Sequence, residues 1–301
     1  MNGNKPYPYA YIRGTVVPIE QATVSVMTNA LHYGAGIFGG LKAYQLANGV
    51  GIFRLNDHIR RLQNSCRILR FPYELPSEQF ADVVTKLIVA NRPTVTAYIR
   101  PLIYRADTDI APGIDGQYDL AVYLLPMTEF VSPERGMDVC ISSWYRNADN
   151  ALPPRTKATG GYLNSSLAIH DAKVAGYDSA ILLDSAGMVG EGAVMNLFMV
   201  KDGRLVTPGV ENDILEGVTR RTIIELARER GMPFQERPIN RTELYTADEL
   251  FFCGTAVELT WCHSVDRVVI SQQRGLITTQ LYEAWRGLPH THPKLYTVIN
   301  Q

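Results

Sequence analysis

The chain has 301 residues, 46% of them hydrophobic, so it can bury the core of one large domain or of two moderate ones. Its 29 basic and 30 acidic residues leave a net charge of -1, which argues against nucleic acid or an anionic membrane as a partner. The N-terminal segment has no apolar stretch of signal-peptide length, and no run of about 18 apolar residues follows it. We therefore expect a cytoplasmic protein.

The spacing of cysteines and histidines argues against a metal site and against a disulfide framework. No two cysteines form a C-x-x-C pair, and the histidines lack the H-E-x-x-H spacing of zinc enzymes. The cysteines are Cys66, Cys140, Cys253 and Cys262. We expect reduced and mostly buried thiols.

A glycine-rich string at residues 34–39 matches the G-x-G-x-x-G pattern of dinucleotide-binding turns. That turn requires a preceding strand and a helix that starts on the glycines, so that the pyrophosphate meets the helix N-terminus. Here the string continues into GGLKAYQLANG, which has no helical stripe and leads to the strand-like GIFRL. The glycines therefore predict a close approach of the backbone to another group, and not a nicotinamide site.

Two helices are predicted among the strands of a smaller α/β domain, residues 1–123. The first begins near Asn56, a good N-cap, and is stopped by Pro72. Its apolar stripe comprises Ile59, Leu62, Cys66 and Leu69. The second starts at Ser77 and ends before Pro93. Its buried side comprises Phe80, Val84, Leu87 and Ile88.

The alternating segment TAYIRPLIY follows the second helix and is predicted to be a strand. The alternation places Tyr98 and Arg100 side by side on one face, with Ile99 and Ile103 on the other. A polar face of this kind could meet a carboxylate.

Residues 124–135, with their prolines and charges, are predicted to be an interdomain linker, and residues 136–301 to form a larger domain. That domain is expected to open with the strand MDVCISSWY, followed by a proline-rich loop and a helix from about Ser165 to Gly176. Strands around tight glycine turns come next. A further helix follows Gly217 and ends at Gly231. Its apolar positions are Val218, Ile223, Ile224 and Ala227.

Four short segments of the second half combine glycines and polar residues beside apolar strands. They are TKATGGYLN around Lys157, VGEGAVMNLF around Glu191, LEGVTRR around Thr219 and CGTAVEL around Thr255. Each alone has an ordinary structural explanation: a surface lysine, a hairpin acid or the first turn of an amphipathic helix. Their significance lies in the ordered set.

Taken together with ALHYGAGIFGGLKAY, FRLNDHIRRLQNSCRILRFP and AYIRPLIY in the first half, these segments resemble the fold-type IV pyridoxal-phosphate aminotransferases. Within that family the chain is most similar to the branched-chain amino-acid enzymes. The resemblance covers nearly the whole chain. It implies a two-domain α/β (α+β) fold like that of D-amino-acid aminotransferase, in a homodimer or a higher homo-oligomer whose subunits share pocket residues. It also implies pyridoxal 5'-phosphate as cofactor and amino-group transfer between leucine, isoleucine or valine and 2-oxoglutarate.

The resemblance assigns three residues to the cofactor ring. Lys157 matches the lysine that bonds to the cofactor aldehyde and then moves the proton at the substrate Cα. Glu191 matches the carboxylate that keeps the pyridine nitrogen protonated. Tyr162 matches the hydrogen-bond donor to the phenolic oxygen.

The same resemblance assigns a phosphate site. Val218 and Thr219 stand at a helix start, where free N–H groups and the helix dipole favour an anion. Thr255 would add a hydroxyl group. Arg61 matches the family arginine, although the adjacent Arg60 is equally basic and only the alignment of HIRRL separates them. Leu215 completes the cofactor-binding set.

Seven residues match positions that contact the substrate in the family. They are Tyr33, Phe38, Gly40, Tyr98, Arg100, Thr255 and Ala256. Backbone N–H groups of the last two would hold the α-carboxylate, while aromatic walls accept a branched side chain.

Two departures from the branched-chain pattern concern substrate range. Gly39 stands where an acidic residue is usual, and Val194 and Met195 replace a glycine and a polar residue. Loss of a charged side chain at the pocket rim predicts that substrates without the usual carboxylate, such as amines, are admitted.

Three alternatives remain open at this point. The first is a transaminase of the same fold acting on D-amino acids or (R)-amines, against which the Tyr98-x-Arg100 pattern argues. The second is a lyase of the same fold, such as the one acting on aminodeoxychorismate. The third is a catalytically silent binding protein, against which the presence of both Lys157 and Glu191 argues.

Overall fold

The computed structural model describes residues 5–127 and 135–300 of the chain. The described residues fall into two compact units. The first contains 1–128 together with 156–160 and 289–301, and the second contains 129–155 and 161–288, as far as these ranges are described. The segment with Lys157 thus belongs to the first unit, whereas the sequence placed it in the second.

Six α-helices and seventeen strands form in the described residues. The helices are α1 Asn29–Tyr33, α2 Leu55–Leu69, α3 Ser77–Asn91, α4 Tyr162–Val174, α5 Val218–Glu229 and α6 Leu276–Thr291. The strands are β1 Tyr9–Ile12, β2 Thr15–Pro18, β3 Gly36–Phe38, β4 Leu41–Leu46, β5 Gly49–Phe53, β6 Ala97–Arg105, β7 Tyr118–Pro126, β8 Met137–Ile141, β9 Ser179–Leu183, β10 Val189–Gly192, β11 Asn196–Lys201, β12 Arg204–Thr207, β13 Phe234–Glu236, β14 Glu249–Gly254, β15 Glu258–Val265, β16 Val268–Val269 and β17 Tyr296–Ile299.

The first unit is built on an antiparallel sheet whose strand order is β17-β5-β4-β6-β7-β1-β2, with β3 paired to β6. Helices α2 and α3 bury their apolar stripes against it. The resulting core combines sheet residues such as Ile37 and Ile99 with helix residues such as Ile59, Phe80 and Ile88, all fully buried. Burial of each such side chain contributes about 1.5–3 kcal/mol.

The predicted elements of this unit are confirmed, with one correction. Helix α3 has the bounds expected from its apolar spacing. Asn56 is not the N-cap of α2: the helix starts one residue earlier, because Leu55 is buried, and Arg54 precedes it at φ 46°. The glycine-rich string forms β3 and pairs antiparallel with β6, so no helix begins on its last glycine.

The domain boundaries expected from the sequence remain a prediction. Strand β7 continues through Pro126, three residues into the expected linker of 124–135. Most of that linker, residues 128–134, lies outside the described residues.

The second unit is built on a mixed sheet with the order β10-β9-β8-β15-β14-β11-β12-β13, and β16 pairs with β15. Strand β8 is parallel to both of its neighbours. Helix α4 starts at Tyr162, not at Ser165 as expected. Ser165 is buried inside the helix and does not cap it. Helix α5 follows Gly217 as predicted, and Gly231 lies just beyond its end at φ +63°.

Helix α6 was not expected from the sequence, although its buried positions have helical spacing. They are Thr278, Leu281, Ala284, Trp285 and Leu288. The buried carboxylate of Glu249 accepts hydrogen bonds from the backbone N–H groups of Ile277 and Thr278, at 2.9 and 2.7 Å. A distant acid on β14 therefore satisfies free N–H groups in the first turn of this helix.

The described parts of the chain contain no disulfide, no membrane-spanning helix and no cluster of metal ligands. The four cysteines are free, and Cys66, Cys253 and Cys262 are buried while Cys140 is half-buried. No described helix is long and apolar enough to cross a membrane. No group of three or more histidine, cysteine or acidic side chains with metal-binding geometry occurs among the described residues.

Candidate active site

Lys157 is held in place by backbone pairing between the segment Thr156–Gly160 and strand β3. The N–H group of Phe38 donates to the carbonyl oxygen of Lys157 at 3.0 Å, and the N–H group of Thr159 donates to that of Gly36 at 2.8 Å. The lysine backbone is therefore fixed by a rigid strand of the same unit.

Two glycines permit this close approach. A Cβ atom on Gly34 would lie 2.8 Å from Cα of Gly160, and Gly34 itself has φ +64°. A side chain there would require the backbone to move. The hydroxyl group of Thr159 donates to the Gly34 carbonyl at 2.8 Å and closes the contact. The glycine-rich string thus does bring two backbones together, as its composition predicted.

An aromatic ring joins Lys157 to the polar face of β6. Nζ of Lys157 lies 5.1 Å from the ring centroid of Phe38, and Cζ of Arg100 lies 4.6 Å from the same centroid. Arg100 also lies over the ring of Tyr98 and donates to its hydroxyl group at 3.2 Å. A Cβ atom on Gly40 would collide with that hydroxyl group. Five predicted site residues therefore form one cluster, and the predicted sharing of a face by Tyr98 and Arg100 is confirmed.

Arg100 has no carboxylate partner within the described part of the chain. Its buried Nε atom has no hydrogen-bond partner there, and its described contacts are with the two rings and with the Tyr98 hydroxyl. A guanidinium group offers five N–H donors in a planar fork, which matches a carboxylate. This geometry is suited to an anionic ligand.

Tyr33 lies at the end of α1 and is 43% exposed. Its hydroxyl group donates to the carbonyl oxygen of Ile110 in the loop after β6. The buried guanidinium of Arg105 binds the same loop through Asp107 at 2.9 Å and also bonds Asn29 of α1 at 2.6 Å. Tyr33 is therefore part of a cross-linked helix and loop, and it has no described contact with the Lys157 cluster.

The two adjacent arginines of α2 have different environments. The Arg60 side chain is 67% exposed and lies 3.8 Å from Asp57. Arg61 is half-buried, with Nη2 3.4 Å from Nδ1 of His58. Burial therefore favours Arg61 as the ligand-binding arginine, a distinction that periodicity could not make.

Gly39, one of the positions at which the chain departs from the branched-chain pattern, packs tightly against β6. A Cβ atom there would lie 2.7 Å from Cγ of Pro101, so the acidic side chain usual at this position would require a shift. At the other departure, Val194 is exposed in the turn after β10 and Met195 is buried.

In the second unit, Glu191 lies at an irregularity in the pairing of β10 with β9. The register shifts between Val189 and Glu191, so that Glu191 lies opposite Leu182. A shift of this kind re-aims a side chain. Glu191 is only 5% exposed, and its Oε1 atom lies 2.6 Å from Nη2 of Arg146. It is thus a buried carboxylate paired with a cation, and not an exposed hairpin acid.

Asn196 connects Glu191 to the segment that enters α5. Its Nδ2 group donates to Oε2 of Glu191 at 2.7 Å and to the carbonyl oxygen of Leu215 at 2.8 Å. The N–H group of Leu215 donates in turn to Oε1 of Glu191 at 3.2 Å. Leu215 therefore contributes through its backbone.

The N-terminus of α5 has no side-chain cap. Its N-cap is Gly217, and no acidic residue occurs in the first turn, where Val218 and Thr219 are buried. A Cβ atom on Gly217 would lie 2.0 Å from Oδ1 of Asn196, so any other residue here would displace that side chain. The first-turn N–H groups and the positive end of the helix dipole favour an anion.

Three further predicted residues lie in less buried places of this unit. Thr255 and Ala256 form the turn between β14 and β15 and are half-buried. Tyr162 is the first residue of α4. The sequence interpretation missed Arg146, which belongs to none of the four segments, and assigned no role to Asn196, although Asn196 lies in the segment around Glu191.

Comparison with known proteins identifies the family of this chain. A family model described as amino-transferase class IV matches residues 36–265. The chain belongs to this family. A probable branched-chain-amino-acid aminotransferase of Aquifex aeolicus is 39% identical over 97% of this chain and 96% of its own length.

Solved structures of branched-chain aminotransferases have the same fold as this chain. The branched-chain amino acid aminotransferase of Escherichia coli is 38% identical, with a TM-score of 0.90 over 94% of both chains. That of Thermobaculum terrenum, solved in its PLP form, is 33% identical, with a TM-score of 0.91 over 98% of this chain and 99% of its own. The predicted family and the fold-type IV architecture are thereby confirmed, and the cofactor of this family is pyridoxal 5'-phosphate.

Proposed function

We propose that the protein transfers an amino group reversibly between leucine, isoleucine or valine and 2-oxoglutarate, with pyridoxal 5'-phosphate as cofactor. Relatives that match nearly the whole chain carry the name of this activity. The observation that carries the proposal is Arg100, a guanidinium with no carboxylate partner among the described residues, packed on the same ring as Lys157. It offers a place for the second carboxylate of 2-oxoglutarate or glutamate beside an apolar wall.

The donors of the chain fit the cofactor. The proposal assigns the phosphate to the first-turn N–H groups of Val218 and Thr219, with Thr255 and Arg61 as further donors. When bound, the cofactor supplies a ring that accepts the electrons left behind as the α-proton departs. Glu191 would hold the proton on the ring nitrogen, since a buried carboxylate stabilises a cation beside it.

The remaining assignments concern proton transfer and substrate binding. Lys157 would remove the proton from the substrate Cα and return it, and the amine of a half-buried lysine is suited to such transfer. Tyr162 would donate to the phenolic oxygen and Leu215 would contribute backbone contacts. Thr255 and Ala256 would hold the α-carboxylate through their N–H groups.

Substrate specificity provides the test of this function. We expect L-leucine and L-glutamate both to donate an amino group, and Arg100→Met to reduce kcat/KM for glutamate by about tenfold to 150-fold. A hydrogen bond to a charged group contributes roughly 1.5–3 kcal/mol, and each 1.36 kcal/mol is about tenfold. Leucine, which has no second carboxylate, should lose less than about threefold. Initial rates with each donor are the measurement.

Arg67→Met, which removes an exposed arginine of α2, is the matched control and should change neither rate. Equal losses for the two donors would remove Arg100 from its assigned role. Preference for D-leucine or an (R)-amine over L-leucine, or product release without any 2-oxo acid, would contradict the proposed function and favour the transaminase or lyase alternatives. Activity with an (R)-amine in addition to L-leucine is the result that the Gly39 departure predicts.

The proposal includes a homodimer formed through the first unit. Four apolar side chains around α1 and the loop after β6 are more than half exposed: Val26, Met27, Leu31 and Ile110. The Arg105 network holds this helix and loop rigid, so the apolar surface is preorganised for a second copy.

Introducing negative charge into this apolar surface is expected to separate the subunits. The double variant Leu31→Glu/Ile110→Glu should sediment as a single chain of 33.6 kDa in analytical ultracentrifugation, while the wild type sediments at twice that mass or more. Burying two carboxylates in an apolar interface costs several kcal/mol. Val174→Glu, at an equally exposed apolar position on α4, is the control and should leave the mass unchanged. An unaltered mass for the double variant would place the interface elsewhere.

A further inference from the structure

Arg146 lies in the loop after β8 and packs across the ends of β9 and β10. Its backbone N–H group donates to the carbonyl oxygen of Leu183 at 2.8 Å, and its Nε atom donates to that of Asp213 at 3.3 Å. A Cβ atom on Gly190 would lie 3.2 Å from its Cγ atom, so the glycine of β10 leaves room for it. The side chain is 10% exposed. It is therefore built into the unit, unlike a mobile surface cation.

The main described contact of its guanidinium is Glu191, at 2.6 Å. A carboxylate as buried as this one takes up a proton unless a charge or hydrogen bonds stabilise its anion. Asn196 and Leu215 donate hydrogen bonds to it, but Arg146 supplies a full positive charge. Among the described contacts of Glu191, Arg146 is therefore the one that stabilises the anion with a full charge.

Other charged groups face the pair. Asp213 lies beside Arg146, and burial raises the pKa of its carboxyl while Arg146 lowers it. Asp149 and Asp184 lie near Asp213 and raise that pKa further. On β14, burial raises the pKa of the Cys253 thiol, and the charge of Glu191 adds to the effect.

Arg220 is a second cation in this region, on α5, where its charge lowers the pKa of the Cys253 thiol. It forms an ion pair with Glu236 at 2.7 Å. Arg146 is thus in direct ion-pair contact with Glu191, whereas the described ion pair of Arg220 is with Glu236.

We infer that Arg146 is a positioning residue that keeps Glu191 ionised and oriented before the cofactor binds. Its relevance to catalysis rests on the proposed function, whereas its effect on the charge of Glu191 does not. The pocket then presents a fixed negative charge to a protonated ring nitrogen, and the carboxylate needs no proton exchange or reorientation when that nitrogen arrives. Removal of Arg146 would leave a neutral, protonated acid at this position.

The test is the pH dependence of unfolding of the full chain, freed of cofactor and kept at one protein concentration. In Arg146→Met the folded-state pKa of Glu191 rises above its unfolded value of about 4.3. The protonated side chain of Glu191 then stabilises the folded variant fully below about pH 4, and this stabilisation is lost as the pH rises towards the raised pKa. The ratio of unfolding constants, variant to wild type, should grow about tenfold per pH unit above about pH 5 until the raised pKa is reached.

Three further variants test whether the pH-dependent loss of stability arises from the charge of Arg146 acting on Glu191. Arg146→Lys keeps the charge and should restore most of the wild-type profile. Arg155→Met removes an exposed arginine paired with Glu216 at 3.3 Å, and should give a ratio independent of pH. Adding Glu191→Gln to Arg146→Met should reduce the slope, relative to Glu191→Gln alone, to the smaller part that Asp213 contributes once Arg146 no longer lowers its pKa, since the main titrating group is gone.

A flat ratio for Arg146→Met would overturn the inference. So would a slope that persists undiminished in the double variant, because it would assign the whole titration to Asp213. Since the chain contains no cofactor in these measurements, the inference can fail while the proposed transaminase activity stands, and the reverse also holds.

Discussion

Lys157→Ala is expected to abolish transamination while the protein still folds. A positioned acid–base group contributes roughly 10²–10⁴-fold to a rate, and loss of the covalent bond to the cofactor adds to this, so kcat should fall by at least about 10⁴-fold. The fold should persist, because the described hydrogen bonds that hold the segment to β3 are made by backbone groups, which alanine also has, and by the hydroxyl group of Thr159, which the variant keeps. Turnover of L-leucine with 2-oxoglutarate and thermal unfolding are the two measurements.

Borohydride reduction followed by peptide mapping tests the position directly. The reduced cofactor should be found on the peptide with Lys157 and on no other lysine. Lys42 is the structural rival, since it is buried on β4, whereas Lys173 is exposed on α4. Recovery of the label on Lys42 would show that the assigned register of the site is wrong.

The arrangement around Lys157 shows what a sequence can predict and where it cannot. The alternation in β6 predicted that Tyr98 and Arg100 share a face, because a strand has a period of two residues. No periodicity predicts that Thr156–Gly160 joins the first unit, since five residues paired with a distant strand have no pattern of their own. That placement depends on long-range backbone hydrogen bonds.

Arg146 shows a second limit. The ordered motifs indicated Glu191, because the segment around it resembles one in the fold-type IV aminotransferases. Nothing near Arg146 in the sequence indicates a role, and its pairing with Glu191 depends on the packing of β9, β10 and the loop after β8. Helix starts were misplaced for a related reason: α2 already includes the buried Leu55, so the capping preference of Asn56 was overridden, and α4 begins three residues before Ser165, which is buried inside it.

Glu191→Gln is expected to slow the reaction and also to destabilise the protein. The glutamine retains hydrogen-bonding groups but has no charge to hold a proton on the ring nitrogen. A hydrogen bond to a charged group contributes roughly 1.5–3 kcal/mol, so the half-reaction with L-leucine should slow by about one to two orders of magnitude. Stopped-flow measurement of cofactor conversion at saturating leucine gives this rate.

The stability effect follows from the buried ion pair. Glu191 and Arg146 are both almost fully buried, with side chains 6% and 10% exposed. Removing one partner of such a pair leaves an uncompensated buried charge and typically costs about 3–5 kcal/mol. The cofactor-free variant should therefore unfold at a markedly lower denaturant concentration, although glutamine matches glutamate in shape.

The two effects can be separated in the double variant Arg146→Met/Glu191→Gln. Replacing a buried ion pair by neutral groups of similar volume is often close to neutral for stability, so the double variant should be more stable than Glu191→Gln alone. Its half-reaction should remain slow, because the charge that stabilises a protonated ring nitrogen is still missing. If the double variant regains stability but not rate, the carboxylate of Glu191 both stabilises the fold through its ion pair and supports the reaction through its charge. A single variant with a rate within about twofold of the wild type would leave Glu191 as a structural partner of Arg146 only.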